Sequence, residues 1–219
     1  MVGISLAFAL GGYLLGSLPT GLLVGRVLKG VDIRDYGSGK TGVTNTLRTL
    51  GWGPAVVVLV CDILKGVAPV LLAKYLTDSA WVPVAAGLGA ITGHDWPLYA
   101  GFRGGRGVAT SFGATVALMP ALAPVMLLIG ALILLPWRYV SLMSVLGTAI
   151  TAVVVVALAL LGWVPGPYAA FALVAGPLII LLHRDNIRRL MAGTEPKLGQ
   201  GGSRRGGNRE YAHSGGRSR

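Results

Sequence analysis

The sequence predicts an all-α integral membrane protein of about seven transmembrane helices. Of its 219 residues, 53% are hydrophobic and only 12% are charged, about half the charged fraction that is usual in a soluble domain. The mean hydropathy, +0.69, is correspondingly high. Polar stretches divide the chain into apolar segments, and a helical span needs about 20 apolar residues. These segments cover residues 4–27, 52–76, 81–98, 108–119, 121–135, 139–163 and 167–182.

The second segment carries two ionisable residues, Asp62 and Lys65, at membrane depth. Such groups usually pair and face the bundle interior. We expect a structural role for them, paired with each other or with loop cations, ahead of a catalytic role for Asp62. Cys61, the chain's single cysteine, is expected to be a small core residue.

The fourth and fifth segments are predicted to be two short central helices separated at Pro120. A continuous helix over residues 108–135 is the alternative, since membrane helices tolerate proline. Cytoplasmic loops carry the excess of Lys and Arg. Only the broken arrangement puts nearly all of the 19 Lys and Arg residues on one side. It predicts seven spans, with the N-terminus outside and the C-terminus cytoplasmic.

The chain is predicted to form one membrane-embedded domain over residues 1–197, followed by a disordered basic tail over residues 198–219. The tail is rich in Gly, Ser and Arg and has no apolar period. The net charge of +11 invites a nucleic-acid interpretation. Its distribution argues against one, because the cations lie at the ends of apolar segments, where they face anionic lipid headgroups.

A first polar stretch follows the first apolar segment. It begins at Gly37, ends at Arg48, and holds short hydroxyl and amide side chains among its glycines: Ser38, Thr41, Thr44 and Asn45. Glycine lets backbone N–H groups approach an anion closely. An ordinary helix–helix turn would not need so many donors. Arg34 stands where a Walker loop requires its first glycine, so nucleotide binding is not expected.

A second polar stretch pairs Gly93 and His94 with a run of glycines and arginines that opens into the fourth segment. This run comprises Arg103, Gly104, Gly105, Arg106 and Gly107. A glycine-rich loop before a helix start forms an anion cradle, and arginine suits phosphate oxygens. A loop selected only for cytoplasmic charge would explain the arginines but not the glycines.

A third polar stretch follows the last segment, where His183 and Asn186 lie three residues apart and share one face of a helix. The structural alternative is that His183 only packs at the interface. The histidines show no ligand cluster of usual spacing, so no metal and no cofactor are expected.

In this order and on these segments, the three stretches resemble the motifs of the bacterial acyl-phosphate:glycerol-3-phosphate acyltransferase family, PlsY. Residues 37–45 are similar to Gly-Ser-Gly-Asn-x-Gly-Ala-Thr-Asn. Residues 93–94 and 102–110 are similar to Gly-His and Phe-Lys-Gly-Gly-Lys-Gly-Val-Ala-Thr, with arginine at both lysine positions. Residues 183–195 are similar to His-Arg-x-Asn-Ile-x-Arg-Leu…Gly-x-Glu. Lys40 stands where the family has Asn, and Val43 where it has Ala.

The resemblance implies transfer of a fatty acyl group from acyl phosphate to the 1-hydroxyl of glycerol 3-phosphate, giving lysophosphatidic acid and phosphate for phospholipid biosynthesis. It implies a bacterial inner-membrane enzyme with its site at the cytoplasmic face, lipid around it, and the enzyme that makes acyl phosphate as a candidate partner. The alternative from another class is a small transporter of organic phosphates or other anions. The sequence shows no obvious inverted repeat, and its polar stretches fall on one side, which favours the enzyme.

Site roles follow from the stretches and the resemblance together. His183 and Asn186 are the expected catalytic residues, with His183 positioning substrate first and acting as a base second, because an oxygen of bound acyl phosphate could also take the proton. Arg48 and Arg106 are expected to contact phosphate. The full predicted substrate-binding set is Ser38, Thr44, Asn45, Arg48, Arg103, Gly104, Gly105, Arg106 and Gly107.

Overall fold

The computed structural model describes residues 2–205 and contains ten α-helices in that range. They are α1 (Val2–Gly16), α2 (Thr20–Lys29), α3 (Val43–Leu50), α4 (Trp52–Leu76), α5 (Trp81–Asp95), α6 (Val108–Leu118), α7 (Ala123–Trp137), α8 (Val140–Leu160), α9 (Gly166–Leu182) and α10 (Arg184–Met191). The described residues contain no β-strand, and their one isolated bridge joins Tyr36 to Arg204. The predicted all-α class is confirmed.

Several helices are long and apolar enough to cross a membrane. Within the described residues there are four: Val2–Lys29 taken through its break, α4, Pro120–Trp137 and α8. A fifth results if α9 and α10, which are bent by 56°, are counted as one broken span. The multi-pass character predicted from the sequence is therefore present. The other apolar helices are shorter, since α5 has 15 residues and α6 has 11.

Helices α1 and α5 approach each other through glycine. A Cβ atom on Gly12 of α1 would collide with the carbonyl oxygen of Ala86 on α5, and one on Gly93 of α5 would collide with that of Tyr13 on α1. Small residues let membrane helices make backbone contact, because lipid provides no hydrophobic force to press them together. Helices α4 and α6 also approach each other through glycine, because a Cβ atom on Gly66 would collide with the carbonyl oxygen of Thr110.

The buried core lies between α4, α5, α6 and α9. Its apolar members include Val70, Ile91, Leu118 and Phe171. The break predicted at Pro120 is present, because α6 ends at Leu118 and a short 3-10 turn, Pro120–Leu122, leads into α7. Helices α7 and α8 bury few of their own residues, so they form the open side of the bundle.

Residues 196–205 form what we call the C-terminal strap, which lies against the first polar stretch. The backbone N–H of Gly37 donates to the carbonyl oxygen of Ser203 at 3.0 Å, and that of Arg205 donates to the carbonyl oxygen of Asp35 at 2.7 Å. The strap thus includes the start of the predicted basic tail. Residues 206–219 of that tail lie outside the described residues, so its disorder stays a prediction.

Candidate active site

The first polar stretch is held in shape by the side chain of Asn45. The backbone N–H of Ser38 donates to Asn45 Oδ1 at 2.9 Å, and Asn45 Nδ2 donates to the carbonyl oxygens of Ile33 and Lys40 at 2.7 and 2.8 Å. Asn45 is buried, at 2% exposure. These bonds already engage its oxygen and both amide hydrogens, so its main visible contribution is to fold the loop. Its predicted substrate contact stays a prediction.

The loop presents other donors to a cavity. Ser38, Lys40 and Thr44 line it, together with the residues at the start of α3. Backbone N–H groups of a first helical turn lack intrahelical partners, so a helix start adds donors and positive potential for an anion. Lys40, which the sequence indicated only as a departure from the family pattern, thus brings a charge to the cavity.

The second polar stretch lies beside the first and lines the same cavity. Gly105, Arg106 and Gly107 border it, whereas Gly104 is buried beneath and Arg103 is exposed and outside the lining. The backbone N–H of Gly105 donates to the carbonyl oxygen of His94 at 3.1 Å. Only a residue without a Cβ fits at position 105, because the ring of His94 occupies that space.

Arg106 is the cation best placed to bind an anion in the cavity. Burial lowers the pKa of its guanidinium to about 10, which leaves it charged at neutral pH. Within the described residues its Nε has no hydrogen-bond partner. A charged donor that faces a cavity without a protein acceptor is suited to a charge-assisted bond to a ligand oxygen.

Arg48 lies behind the cavity lining rather than in it. Its terminal NH2 group donates to the carbonyl oxygen of Pro196 in the strap at 3.3 Å. Burial lowers the pKa of Arg48, and the neighbouring Glu195 charge partly opposes this. The two arginines predicted to act together therefore occupy different positions: Arg106 at the cavity and Arg48 at the strap.

His183 follows directly after α9 and lines the same cavity. Its Nδ1 lies 2.8 Å from the carbonyl oxygen of Ile179. A carbonyl can only accept, so Nδ1 carries the hydrogen and Nε2 keeps a lone pair for a substrate donor. Burial lowers the pKa of His183 to about 4, which makes the ring neutral at neutral pH and a weak base.

Asn186 is buried near His183 but does not line the cavity. Its Nδ2 donates to Glu195 Oε1 at 2.7 Å, and Arg189 Nε donates to Glu195 Oε2 at the same distance. Although burial favours the neutral acid, these two hydrogen bonds contribute to lowering the pKa of Glu195. Glu195 thus fixes α10 beside the strap, a role that spacing in the sequence did not reveal.

The cavity has a volume of about 500 Å³ and two chemically different ends. Its polar end is formed by the three predicted stretches, through Ser38, Lys40, Thr44, Arg106 and His183. The rest is an apolar groove that runs between α4, α6, α7, α8 and α9, past Leu59, Phe112, Leu134, Met143, Gly147 and Val155. Such a space fits a molecule with an anionic head and a long apolar chain.

Known proteins share this helical fold and match the residues that carry the three polar stretches. The family model described as glycerol-3-phosphate acyltransferase matches residues 6–193, most of the chain. The chain belongs to the glycerol-3-phosphate acyltransferase family. The predicted membership is confirmed, and the chain is therefore an acyltransferase of phospholipid synthesis rather than an anion transporter.

Curated relatives in this family are similar over almost their whole length. A glycerol-3-phosphate acyltransferase of Halalkalibacterium halodurans is 47% identical over 194 residues, which are 87% of this chain and 94% of the relative. One of Parasynechococcus marenigrum is 47% identical over 192 residues, 86% of this chain and 87% of the relative.

Solved structures of the family share the fold. The crystal structure of PlsY (YgiH), an integral membrane glycerol 3-phosphate acyltransferase, in its glycerol 3-phosphate form has a TM-score of 0.81 and 39% identity. The lysophosphatidic acid form has a TM-score of 0.79 and 38% identity. Each match covers 88% of this chain and 94% of the solved one.

Two side chains outside the predicted catalytic and substrate-binding sets also border the cavity, His94 and Asp62. The expected pairing of Asp62 is confirmed, because Lys65 Nζ lies 2.9 Å from Asp62 Oδ1. What the sequence could not show is that this pair lies under the second polar stretch. The one available signal was the pair's position in mid-span, where ionisable groups are rare.

Proposed function

We propose that this enzyme transfers a fatty acyl group from acyl phosphate to the 1-hydroxyl of glycerol 3-phosphate and releases lysophosphatidic acid and phosphate. The observation that carries the proposal is the single cavity that joins a cationic, glycine-rich end to an apolar groove. An acyl phosphate has this division, with its phosphate at the polar end and its chain in the groove. Glycerol 3-phosphate brings a second phosphate to the same end.

The reaction needs charge neutralisation more than it needs a strong nucleophile. The hydroxyl oxygen of glycerol 3-phosphate attacks the acyl carbonyl carbon, the new ester bond forms, and the bond from that carbon to the phosphate oxygen breaks. Arg106, Lys40 and the backbone N–H groups of the glycine loops would hold the phosphates and offset the charge that develops. Orientation of the two substrates supplies much of the remaining acceleration.

The hydroxyl proton has two candidate acceptors, His183 and the phosphate, and the low basicity of His183 favours the phosphate. Nε2 of His183 can accept a hydrogen bond from the attacking hydroxyl, because Nδ1 is held by Ile179. A ring whose pKa is about 4 retains a proton poorly at neutral pH. We therefore assign His183 to orienting the hydroxyl, and an oxygen of the departing phosphate takes the proton.

The remaining predicted residues act as donors or as supports. Ser38 and Thr44 are proposed to donate to substrate phosphate, and Arg48 to reach it from beside the strap. Asn186 is proposed to support His183 through its bond to Glu195. Arg103 is exposed, so we assign it no more than attraction of anionic substrates to the membrane surface.

We further propose seven spans, with the N-terminus outside and the polar stretches at the cytoplasmic face of a bacterial inner membrane. The distribution of the 19 Lys and Arg residues supports this orientation. The enzyme that makes acyl phosphate would then supply the donor from the cytoplasm. Impermeant thiol reagents should label Lys40→Cys or Arg103→Cys, the latter at an exposed position, only after cells are opened. Labelling of intact cells would refute the orientation.

Activity in detergent provides the central test. Purified protein, with no sealed compartment, should convert acyl phosphate and glycerol 3-phosphate to lysophosphatidic acid and phosphate in equal amounts. Acyl coenzyme A in place of acyl phosphate serves as the donor control and should give no product. Transfer from the coenzyme A ester alone would contradict the proposed donor.

His183 variants separate orientation from base catalysis. His183→Asn can keep a hydrogen bond to the hydroxyl but cannot act as a base at neutral pH, whereas His183→Ala can do neither. We expect His183→Asn to retain most of the turnover at saturating substrate and His183→Ala to lose much more. Equal losses of about 10²-fold or more in both variants would indicate a general base instead.

A further inference from the structure

A buried ionic cluster lies beneath the second polar stretch, at the border of the cavity. Asp62 is 1% exposed, Lys65 6% and His94 5%. The proposed acyl transfer assigns none of them a task. Charges at this depth are costly unless they are paired, and in membrane segments they usually serve function.

The cluster converges on one oxygen of Asp62. Lys65 Nζ lies 2.9 Å from Oδ1, and Thr20 Oγ1 donates to the same atom at 2.6 Å. Lys65 also donates to the carbonyl oxygen of Leu18 at 3.1 Å. Two of these bonds hold the carboxylate of α4 directly, and the third ties its partner Lys65 to the break between α1 and α2.

His94 connects this carboxylate to the phosphate-binding loop. Its Nδ1 lies 3.7 Å from Asp62 Oδ1, which is longer than a hydrogen bond, so the two groups are in electrostatic contact and form an ion pair only when the ring is protonated. Its Nε2 side packs under Gly105, where no Cβ atom would fit, and its carbonyl oxygen accepts the Gly105 N–H. A rotation of the ring would therefore displace the backbone that leads directly to Arg106.

Lys65 also neutralises the charge of Asp62, in addition to holding its carboxylate in place. Asp62 lines the cavity whose polar end is proposed to hold phosphate groups. Like charges in a low-dielectric site repel strongly. Lys65 offsets the carboxylate, so Asp62 can hold His94 in place without repelling an anionic substrate.

We propose that Asp62, neutralised by Lys65, is a positioning residue that acts through His94 to hold the Gly105–Arg106 backbone in its phosphate-binding geometry. The inference rests on the proposed function for the identity of the ligand, a phosphate group. It assigns no substrate contact to Asp62 itself. The competing account is an ion pair that only holds helices together.

A charge-balanced pair of substitutions separates the two accounts. In Asp62→Asn with Lys65→Met, neither charge of the pair is left without its partner, so the melting temperature in detergent should stay near that of the parent. Binding of inorganic phosphate, measured by calorimetry, should nevertheless weaken about tenfold or more, as expected when one hydrogen bond to a charged group is lost. The KM for acyl phosphate should rise together with it. Asp78→Asn, at an exposed carboxylate, is the matched control and should change neither quantity.

A double variant with parental phosphate affinity and parental KM would overturn the proposal and leave a purely structural pair. Asp62→Glu adds a test that keeps both charges. It moves the carboxylate relative to His94, so weaker phosphate binding at an unchanged melting temperature supports positioning, and unchanged binding contradicts it. Phosphate binding without any acyl transfer in the parent protein would overturn the proposed function and leave this comparison valid.

Discussion

Helices α1, α4, α5 and α6 pack backbone against backbone, whereas α7 and α8 leave open space beside them. In the first group, glycines such as Gly12 and Gly66 meet carbonyl oxygens of the next helix. In the second, a Cβ atom on Gly147 would meet nothing within 4 Å. Glycine therefore serves two purposes in one chain: it closes one half of the bundle and keeps the other half open.

The closed and open halves of the bundle contribute differently to the site. The closed half carries the second polar stretch and the buried cluster beneath it, so its rigidity fixes the position of Arg106. The open half forms most of the apolar groove. Sites that orient reacting groups need a rigid frame, and a groove for flexible chains can be packed loosely.

The largest effect is expected from a side chain inserted into the closed half. Gly12→Leu puts Cβ against the carbonyl oxygen of Ala86, so α1 and α5 must separate. We expect a loss of about 3 kcal/mol or more in stability, at the upper end for overpacking. Thermal unfolding in detergent measures it. The neighbouring Gly11→Leu is the control, because nothing lies within 4 Å of a Cβ there. Equal melting temperatures for both variants would contradict the division into halves.

The next largest effect is expected at Arg106, the cation that the closed half is proposed to hold in position. Arg106→Ala should lower kcat/KM roughly tenfold to more than a hundredfold. This corresponds to about 1.5–3 kcal/mol of transition-state stabilisation, as expected for a lost hydrogen bond to a charged group. Arg103→Ala removes an equal charge three residues away from an exposed position. It should cost less than threefold, within the small effect of a surface charge. Similar losses in both variants would mean that loop charge, rather than position, matters.

A substitution in the open half should change the selectivity for acyl-chain length more than it changes stability. Gly147→Leu projects into the groove and displaces about two methylene groups of the acyl chain, worth about 0.8 kcal/mol each. The ratio of kcat/KM for a long-chain acyl phosphate to that for a medium-chain one should therefore fall about tenfold. Leu146→Phe, on the outward side of α8, is the control and should leave the ratio unchanged. An unaltered ratio in Gly147→Leu would exclude α8 from the chain-binding groove.

The smallest effect is expected at the strap, which lies outside both halves. A Cβ atom on Gly202 would collide with the carbonyl oxygen of Arg48, so Gly202→Val should push the strap off the first polar stretch. We expect a rise in KM for glycerol 3-phosphate of about twofold to fivefold, the order of a single weak contact. Ser203→Val serves as the control, because Ser203 contacts the stretch through its backbone oxygen. Identical KM values for the two variants would remove the strap from the site.

Several features of the site were accessible from the sequence, and particular residues show why. Glycine beside arginine predicted an anion loop at Arg106; the structure has Arg106 at the cavity, and anion binding there stays a prediction. Mid-span position predicted the partnership of Asp62 and Lys65. Asn45 and Arg103 differ in this respect, since their residue types suit binding equally well. In the structure Asn45 borders the cavity while its amide is engaged in loop hydrogen bonds, whereas Arg103 is exposed and outside the lining.

The sequence by itself determined the class of protein, the break at Pro120 and the three stretches that carry the polar chemistry. These are local properties, set by hydropathy, by backbone restrictions at proline and glycine, and by residue type. The tertiary structure decided which of the polar side chains share a cavity, that Glu195 holds Asn186, and that His94 lies under Gly105. Those relations join residues far apart in the chain, and only the packing of helices through their glycines brings them together.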